Sequence, residues 1–159
     1  MFDWLTGSLA GKYVFTFFAS MVPVMELRGA IPIGVGLGLP LTPTILTCIL
    51  GNMVPVPFII IFVRRIFQWL RTRLPRLGGL VNRLEEKAYS KKDLIDRYKA
   101  LGLYILVAIP LPGTGAWTGS LVAALFDIRL KNAFPVIFAG VATAGLIIGI
   151  LTGGVAALL

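Results

Sequence analysis

Pro110-Leu111-Pro112-Gly113-Thr114-Gly115 interrupts an otherwise apolar stretch, Leu101 to Phe126. Neither proline can donate a backbone hydrogen bond, and each disfavours helix in the residue before it. The glycines that follow accept turn conformations at little steric cost. A helix entering from Leu101 therefore stops before Pro110, and a new one starts near Trp117. Earlier in the chain, Glu26-Leu27-Arg28-Gly29-Ala30-Ile31-Pro32 breaks the apolar stretch from Tyr13 to about Leu41 in the same way. The arm from Tyr13 to Met25 has 13 residues, about 20 Å as a helix and too short for a bilayer core of roughly 30 Å. The arm before Pro110 is shorter still. Each broken stretch is either one interrupted span or a re-entrant hairpin that enters and leaves by the same face.

An unbroken apolar stretch follows each broken one. Thr42 to Val63 carries no charge over 22 residues, and Asn132 to Leu159 is also uncharged. Either is long enough to cross as a helix. Thr42-Pro43 reads as an N-cap with proline at the first helical position, and Pro55 and Pro57 predict a kink or unwound turn near Asn52. Gly145, Gly149, Gly153 and Ala157 recur every four residues and form a small-residue face for close helix packing.

Composition agrees. Hydrophobic residues make up 57% of the 159 and charged ones 14%, with a mean hydropathy of +0.90. Soluble domains carry about 25% charge because water must be met at the surface; lipid as solvent removes that need. The chain reads as a single all-α integral membrane domain, 1–159. Its two repeats, 9–63 and 101–159, are joined by a basic connector, 64–100. Each repeat is a broken-helix hairpin followed by a transmembrane helix.

The net charge of +8 is concentrated in that connector. Eleven of the 15 Lys and Arg lie between Arg64 and Lys99, beside Glu85, Glu86, Asp93 and Asp96. Basic segments resist translocation, so the connector is expected in the cytoplasm and the chain in the cell (inner or plasma) membrane as a multi-pass protein. Flanking spans set nucleic acid aside as a partner. Arg64 to Arg71 reads as a helix end dipping into the headgroups, and Leu77-Gly78-Gly79 as a turn. Ser90 and Asp93 fit a capping box for a short helix ending near Gly102. If Leu101–Phe126 is re-entrant, Arg129 and Lys131 return to the connector's side, and the two repeats come out inverted. Broken helices that meet at the midplane in inverted repeats form the substrate sites of secondary transporters.

One cysteine, Cys48, and no histidine exclude an internal disulfide, a Cys/His metal site and a hydrolase with a histidine base. No cofactor, metal or enzymatic activity is expected. Met1–Gly11 contains Asp3 and lacks a basic n-region, so insertion is expected to rely on the spans themselves.

Glu26 and Arg28 are the only charges between Lys12 and Arg64. An ionisable group near the bilayer centre costs roughly 2.5–3.5 kcal/mol on insertion scales, which points to functional burial around a shared polar cavity. The alternative is an ion pair that closes the hairpin turn. Residues two apart do not face each other on a regular helix, so a direct pair requires unwound backbone. A desolvated carboxyl at Glu26 suits loading and release of a proton, and Arg28 suits a phosphate or carboxylate. The glycines of the second motif, the helix N-terminus beyond them and the hydroxyls of Thr114 and Ser120 read as an anion site, or as a simple tight turn. Trp117 is either a gate or packing. Asn52 is a ligand or a helix–helix hydrogen bond, and Pro32 completes the first motif.

Glu26-Leu-Arg-Gly-Ala-Ile-Pro32, Gly51-Asn52 and Ile109-Pro-Leu-Pro-Gly-Thr-Gly-Ala-Trp-Thr-Gly-Ser120 together resemble the small multi-drug export protein family over nearly the whole chain. The pattern is also similar to the DedA (SNARE-associated, VTT-domain) superfamily, with its Glu/Pro and Pro-Gly motifs on opposed re-entrant loops. That resemblance implies proton- or ion-coupled movement of an anionic or lipid-phosphate substrate, such as undecaprenyl phosphate. Glu26 matches the acidic residue of the first loop, and Pro110, Pro112 and Gly113 match the turn of the second. DedA proteins commonly carry an arginine flanking that turn; here Thr114 and Gly115 stand there, leaving Arg28 to supply the charge from the other loop. Export of small cationic compounds on Glu26 is the alternative cargo. A membrane scaffold whose basic segment recruits partners or anionic lipid is the alternative of another class. Two spans and two hairpins make a thin wall around a polar cavity, so a homodimer or larger assembly is expected.

Overall fold

The computed structural model describes residues 7–74, 78–93, 95 and 100–158. Met1–Gly11 is thus described only from Gly7, and Leu77, Asp96 and Lys99 lie outside the described residues. The chain forms α1 (Leu9–Met21), α2 (Glu26–Gly36), α3 (Leu41–Met53), α4 (Pro55–Arg73), α5 (Gly78–Tyr89), α6 (Ala100–Ala108), α7 (Ala116–Leu125) and α8 (Leu130–Leu158). No strand occurs among the described residues.

Both broken stretches fold back as helical hairpins. Ser8 caps α1 by accepting the Gly11 N–H at 3.0 Å, and the Lys12 ammonium donates to the Leu37 carbonyl just beyond α2 at 2.6 Å. The start of α1 therefore lies beside the end of α2. In the second hairpin the Gly115 N–H reaches back to the Leu106 carbonyl at 3.3 Å. A Cβ on Gly119 would stand 3.6 Å from Leu103 Cδ1. Again the arms run antiparallel.

Among the described residues two lengths are apolar enough to cross a membrane: Leu41–Arg73, 33 residues, and Leu130–Gly154, 25 residues, each holding an 18-residue stretch with a mean hydropathy of 2.3. The first is α3 and α4 end to end, with the expected break at Val54. Pro55 and Pro57 present no N–H to the carbonyls of Gly51 and Met53; the Val54 N–H turns to the Gly51 carbonyl instead, at 3.2 Å. The N-cap, however, is Pro40 rather than Thr42, which places Pro43 at the third helical position. Amides of a first turn have no intrahelical acceptor, so proline is tolerated there as well.

The connector is more ordered than a tether. Helix α4 continues through Arg64 to Arg73, and Gly78 and Gly79 open α5 instead of forming a turn. Val81, Leu84 and Ala88 repeat at helical spacing, and Val81 and Ala88 are buried; that stripe gives α5 something to bury against α7 and α4. The Ser90 hydroxyl donates back to the Lys87 carbonyl at 2.8 Å, and the short helix expected after it lies partly outside the described residues. Gly102 lies buried within α6 rather than ending a helix.

Helix α8 packs on both hairpins. Its glycine face meets α3, with Gly145 against Ile45 and Ile49, Gly149 against Ile45 and Gly153 against Leu41; the side chain of Ala157 lies outside the described residues. The outer surface stays apolar: Ile150 is 74% exposed and Leu50 61%. Large apolar side chains spread over a surface in this way meet lipid, not water.

At Gly140 an added Cβ would approach Val107 Cβ to 2.7 Å and the Tyr104 carbonyl to 3.2 Å, whereas at Gly154 it would meet nothing. Gly140→Ala should lower the thermal unfolding midpoint in detergent, with overpacking costing about 1–3 kcal/mol. Gly154→Ala should leave it unchanged or raise it. Equal midpoints for the two variants would contradict this packing of α8 on α6.

Candidate functional site

At the first hairpin tip α1 ends at Met21, and the Glu26 N–H closes the turn onto the Val22 carbonyl at 2.8 Å. Glu26 itself has φ of +47°, an uncommon backbone for a residue with a side chain. This is the unwound geometry that a Glu26–Arg28 pair requires; Arg28 Nε stands 4.0 Å from Glu26 Oε2. The carboxyl is carried inward, and the residue is only 5% exposed.

The second tip turns through Gly113 (φ +80°) and Gly115 (φ +117°). Thr114 Oγ1 lies 2.8 Å from the Ile109 carbonyl and 2.7 Å from that of Leu111, and it accepts the Leu111 N–H at 3.3 Å. The hydroxyl thus holds the loop together.

The two tips meet through three ties. The Trp117 N–H, at the start of α7, donates to Glu26 Oε1 at 3.2 Å. The anion expected at this helix N-terminus is therefore the chain's own carboxylate, seated where unpaired amides favour negative charge. In the opposite direction the Trp117 indole Nε1 donates to the Met21 carbonyl at 3.0 Å. Arg28 spans the gap, its Nη1 donating to the Leu111 carbonyl at 2.6 Å and its Nη2 to the Ile109 carbonyl at 3.2 Å and Thr114 Oγ1 at 3.0 Å. Bonds to charged groups contribute about 1.5–3 kcal/mol each, enough to lock two loops together. Arg28 Nε–H is buried and has no hydrogen-bond partner.

Gly115 is needed twice, for its backbone angle and for its missing side chain, since a Cβ there would overlap the Glu26 carboxylate.

Beside the tips lies a cavity of about 480 Å³ lined by Glu26, Arg28, Lys87, Pro110, Pro112 and Thr114 among others. Adjoining it is an apolar groove of about 690 Å³ between α4, α5 and α7, with Phe58, Phe62, Leu84 and Trp117 in its walls. Pro23, Lys87 and Thr118 line both.

Of the residues singled out in the sequence, Glu26, Arg28, Pro110, Pro112, Gly113, Thr114, Gly115 and Trp117 come together here. Pro32 is on the outside of α2. The Ser120 hydroxyl is buried and donates to the Ala116 carbonyl at 2.6 Å. Asn52 is 1% exposed, and among the described residues neither amide atom has a hydrogen-bond partner and no helix–helix bond forms through it. Lys87 was not singled out, and its signal was the Val81-Leu84-Ala88 stripe that docks its helix.

Gly115→Ala should separate the tips, costing roughly 1–3 kcal/mol from strain alone. Trypsin cleavage after Arg28 in detergent, slow in the parent, should become fast in this variant. Unchanged cleavage would show that the tips do not depend on that slot.

A sequence profile described as "Putative small multi-drug export protein" matches residues 26–147, which include both tip motifs. No curated protein and no solved structure matches the chain. With the profile covering most of its length and two helices long and apolar enough to cross a bilayer, the chain is a membrane protein and belongs to the small multi-drug export protein family.

Proposed function

We propose that the protein is a small membrane transporter whose cargo is amphiphilic, with the apolar part in the groove and the polar end in the chamber at the hairpin tips. The observation that carries this reading is that the two cavities lie side by side, with Pro23, Lys87 and Thr118 lining both. The family's description as exporters supports outward movement of small compounds.

Inverted, re-entrant repeats fit the contacts. Helices α3 and α8 are antiparallel, Leu41 beside Gly153 and Ile49 beside Gly145. The open end of the first hairpin precedes the start of α3. That of the second is tied to α4 through Arg64, which pairs with Asp127 and donates to the Leu125 carbonyl at 2.8 Å. Each hairpin then enters from its own face, and Arg64, Arg129, Lys131 and the connector share the cytoplasmic side. Irregular backbone at membrane depth is viable where it is buried or lines a polar cavity; here the tips are tied by hydrogen bonds beside the chamber, while Val22, Val24 and Leu111 stay exposed.

Glu26 serves as the proton-coupling group, and the closed contact with Trp117 is one end of an opening cycle. For the polar end of the cargo, an anion suits the tips better than a cation. The carboxylate already accepts the Trp117 N–H, while Arg28 and Lys87 add two cations to the lining of the chamber. Lipid phosphates fall in that class, and a kinship with DedA proteins is carried by motif order alone. Cationic drugs are the competing cargo, favoured by the family description. Assembly as a homodimer would thicken the wall around the chamber.

In proteoliposomes with a proton gradient, Glu26→Gln should reduce transport of a fluorescent amphiphile about tenfold or more and abolish its dependence on the gradient, as expected for loss of a proton-transfer group. Parental rates in a folded Glu26→Gln protein would remove Glu26 from the mechanism.

A further inference from the structure

Lys87 does not belong to either repeat. It projects from α5, in the connector, yet it lines both the apolar groove and the charged chamber. Its Cε and Nζ lie 3.2 and 3.5 Å from where a Cβ on Gly113 would stand, so the ammonium rests against the second hairpin tip. It is close enough to Glu26 for their charges to interact, but no hydrogen bond or ion pair holds it among the described residues. The helix that presents it is fixed: Val81 and Ala88 are buried, and Arg71 of α4 donates to Glu85 at 2.5 Å and to Asn82 at 3.2 Å. Across the chamber the Arg28 guanidinium is held by the Ile109 and Leu111 carbonyls and Thr114 Oγ1, and its Nε stands 4.0 Å from Glu26 Oε2. The chamber thus holds two cations against one carboxylate, and that carboxylate is turned toward the α7 amides.

Resting on the transporter reading above, we infer that Lys87 is a substrate-binding residue that selects amphiphiles with an anionic phosphate or carboxylate end. The tail lies along Phe58, Phe62 and Leu121. The head sits at the Lys87 ammonium, which lines both groove and chamber. A neutral or cationic head gains nothing from this ammonium and leaves it unsatisfied. An ammonium on a flexible stem suits heads of varied shape, since it acts as a point charge rather than a planar fork. The connector then has a direct part in recognition, because α5 supplies one wall of the groove through Leu84 and the head-binding charge through Lys87.

Trp117 lines the groove, so its emission reports occupancy in a Trp4→Phe/Trp69→Phe background. In neutral-detergent micelles the background protein should bind dodecyl phosphate saturably. Inorganic phosphate, without a tail, should bind at least about 100-fold more weakly, given the loss of apolar burial. Lys87→Met should weaken dodecyl phosphate about tenfold, the scale of one hydrogen bond to a charged group. Lys87→Arg should restore most of that loss. Dodecyltrimethylammonium should bind Lys87→Met at least as well as the background protein, which a merely misfolded groove would not do. Undiminished dodecyl phosphate binding by Lys87→Met, with the background protein binding normally, would overturn the role of Lys87 and leave the groove reading standing. Inorganic phosphate binding as tightly as dodecyl phosphate would show a free-anion site and overturn the amphiphile. Absence of binding by either amphiphile to the background protein would overturn the groove reading itself.

Discussion

A buried carboxylate needs compensation, and in this chain the Glu26 carboxylate receives it from the N-terminus of a helix in the other half of the molecule. Desolvation alone would make Glu26 one of the most costly residues in the fold. The Trp117 N–H supplies the partner, Gly115 leaves the space, and Arg28 contributes opposite charge from 4.0 Å. Because donor and acceptor come from different hairpins, satisfying one group fixes the relation of both. The rest follows from that junction. The two tips hold each other through that junction, while Val22, Val24 and Leu111 stay exposed beside it. The apolar groove ends where the junction begins, beside side chains of both signs.

Much of this was legible in the sequence. Two apolar stretches broken by Pro and Gly, each followed by an unbroken one, give the order of elements directly, because proline's missing donor and glycine's freedom act locally. The need for unwound backbone at Glu26 followed from helical spacing alone, and its φ of +47° meets that need. The small-residue face of α8 was equally plain at Gly145, Gly149 and Gly153.

What escaped depended on partners distant in the chain. The amides at the start of α7 invited an anion, but nothing local says that the anion is Glu26, 91 residues earlier. Arg28 looked like a substrate ligand, yet most of its donors hold the Ile109–Thr114 loop. Lys87 is one of eleven basic residues in a segment that reads as a basic cytoplasmic connector, where charge density obscures a three-residue apolar stripe. The N-cap of α3 was misplaced by two residues, since Thr42 and Pro40 are both plausible starts and only the extended backbone at Pro40 decides (ψ 138°).

The account stands or falls on the hairpins entering from opposite faces. In a Cys48→Ala background, a membrane-impermeant maleimide should label Gly36→Cys, at the end of α2 where a side chain meets nothing, and Arg129→Cys, just beyond α7, from opposite sides of sealed vesicles. If both broken stretches instead cross the bilayer, the two positions fall on one side. Labelling of both from the same side would contradict the meeting of two re-entrant tips, and with it the transport site.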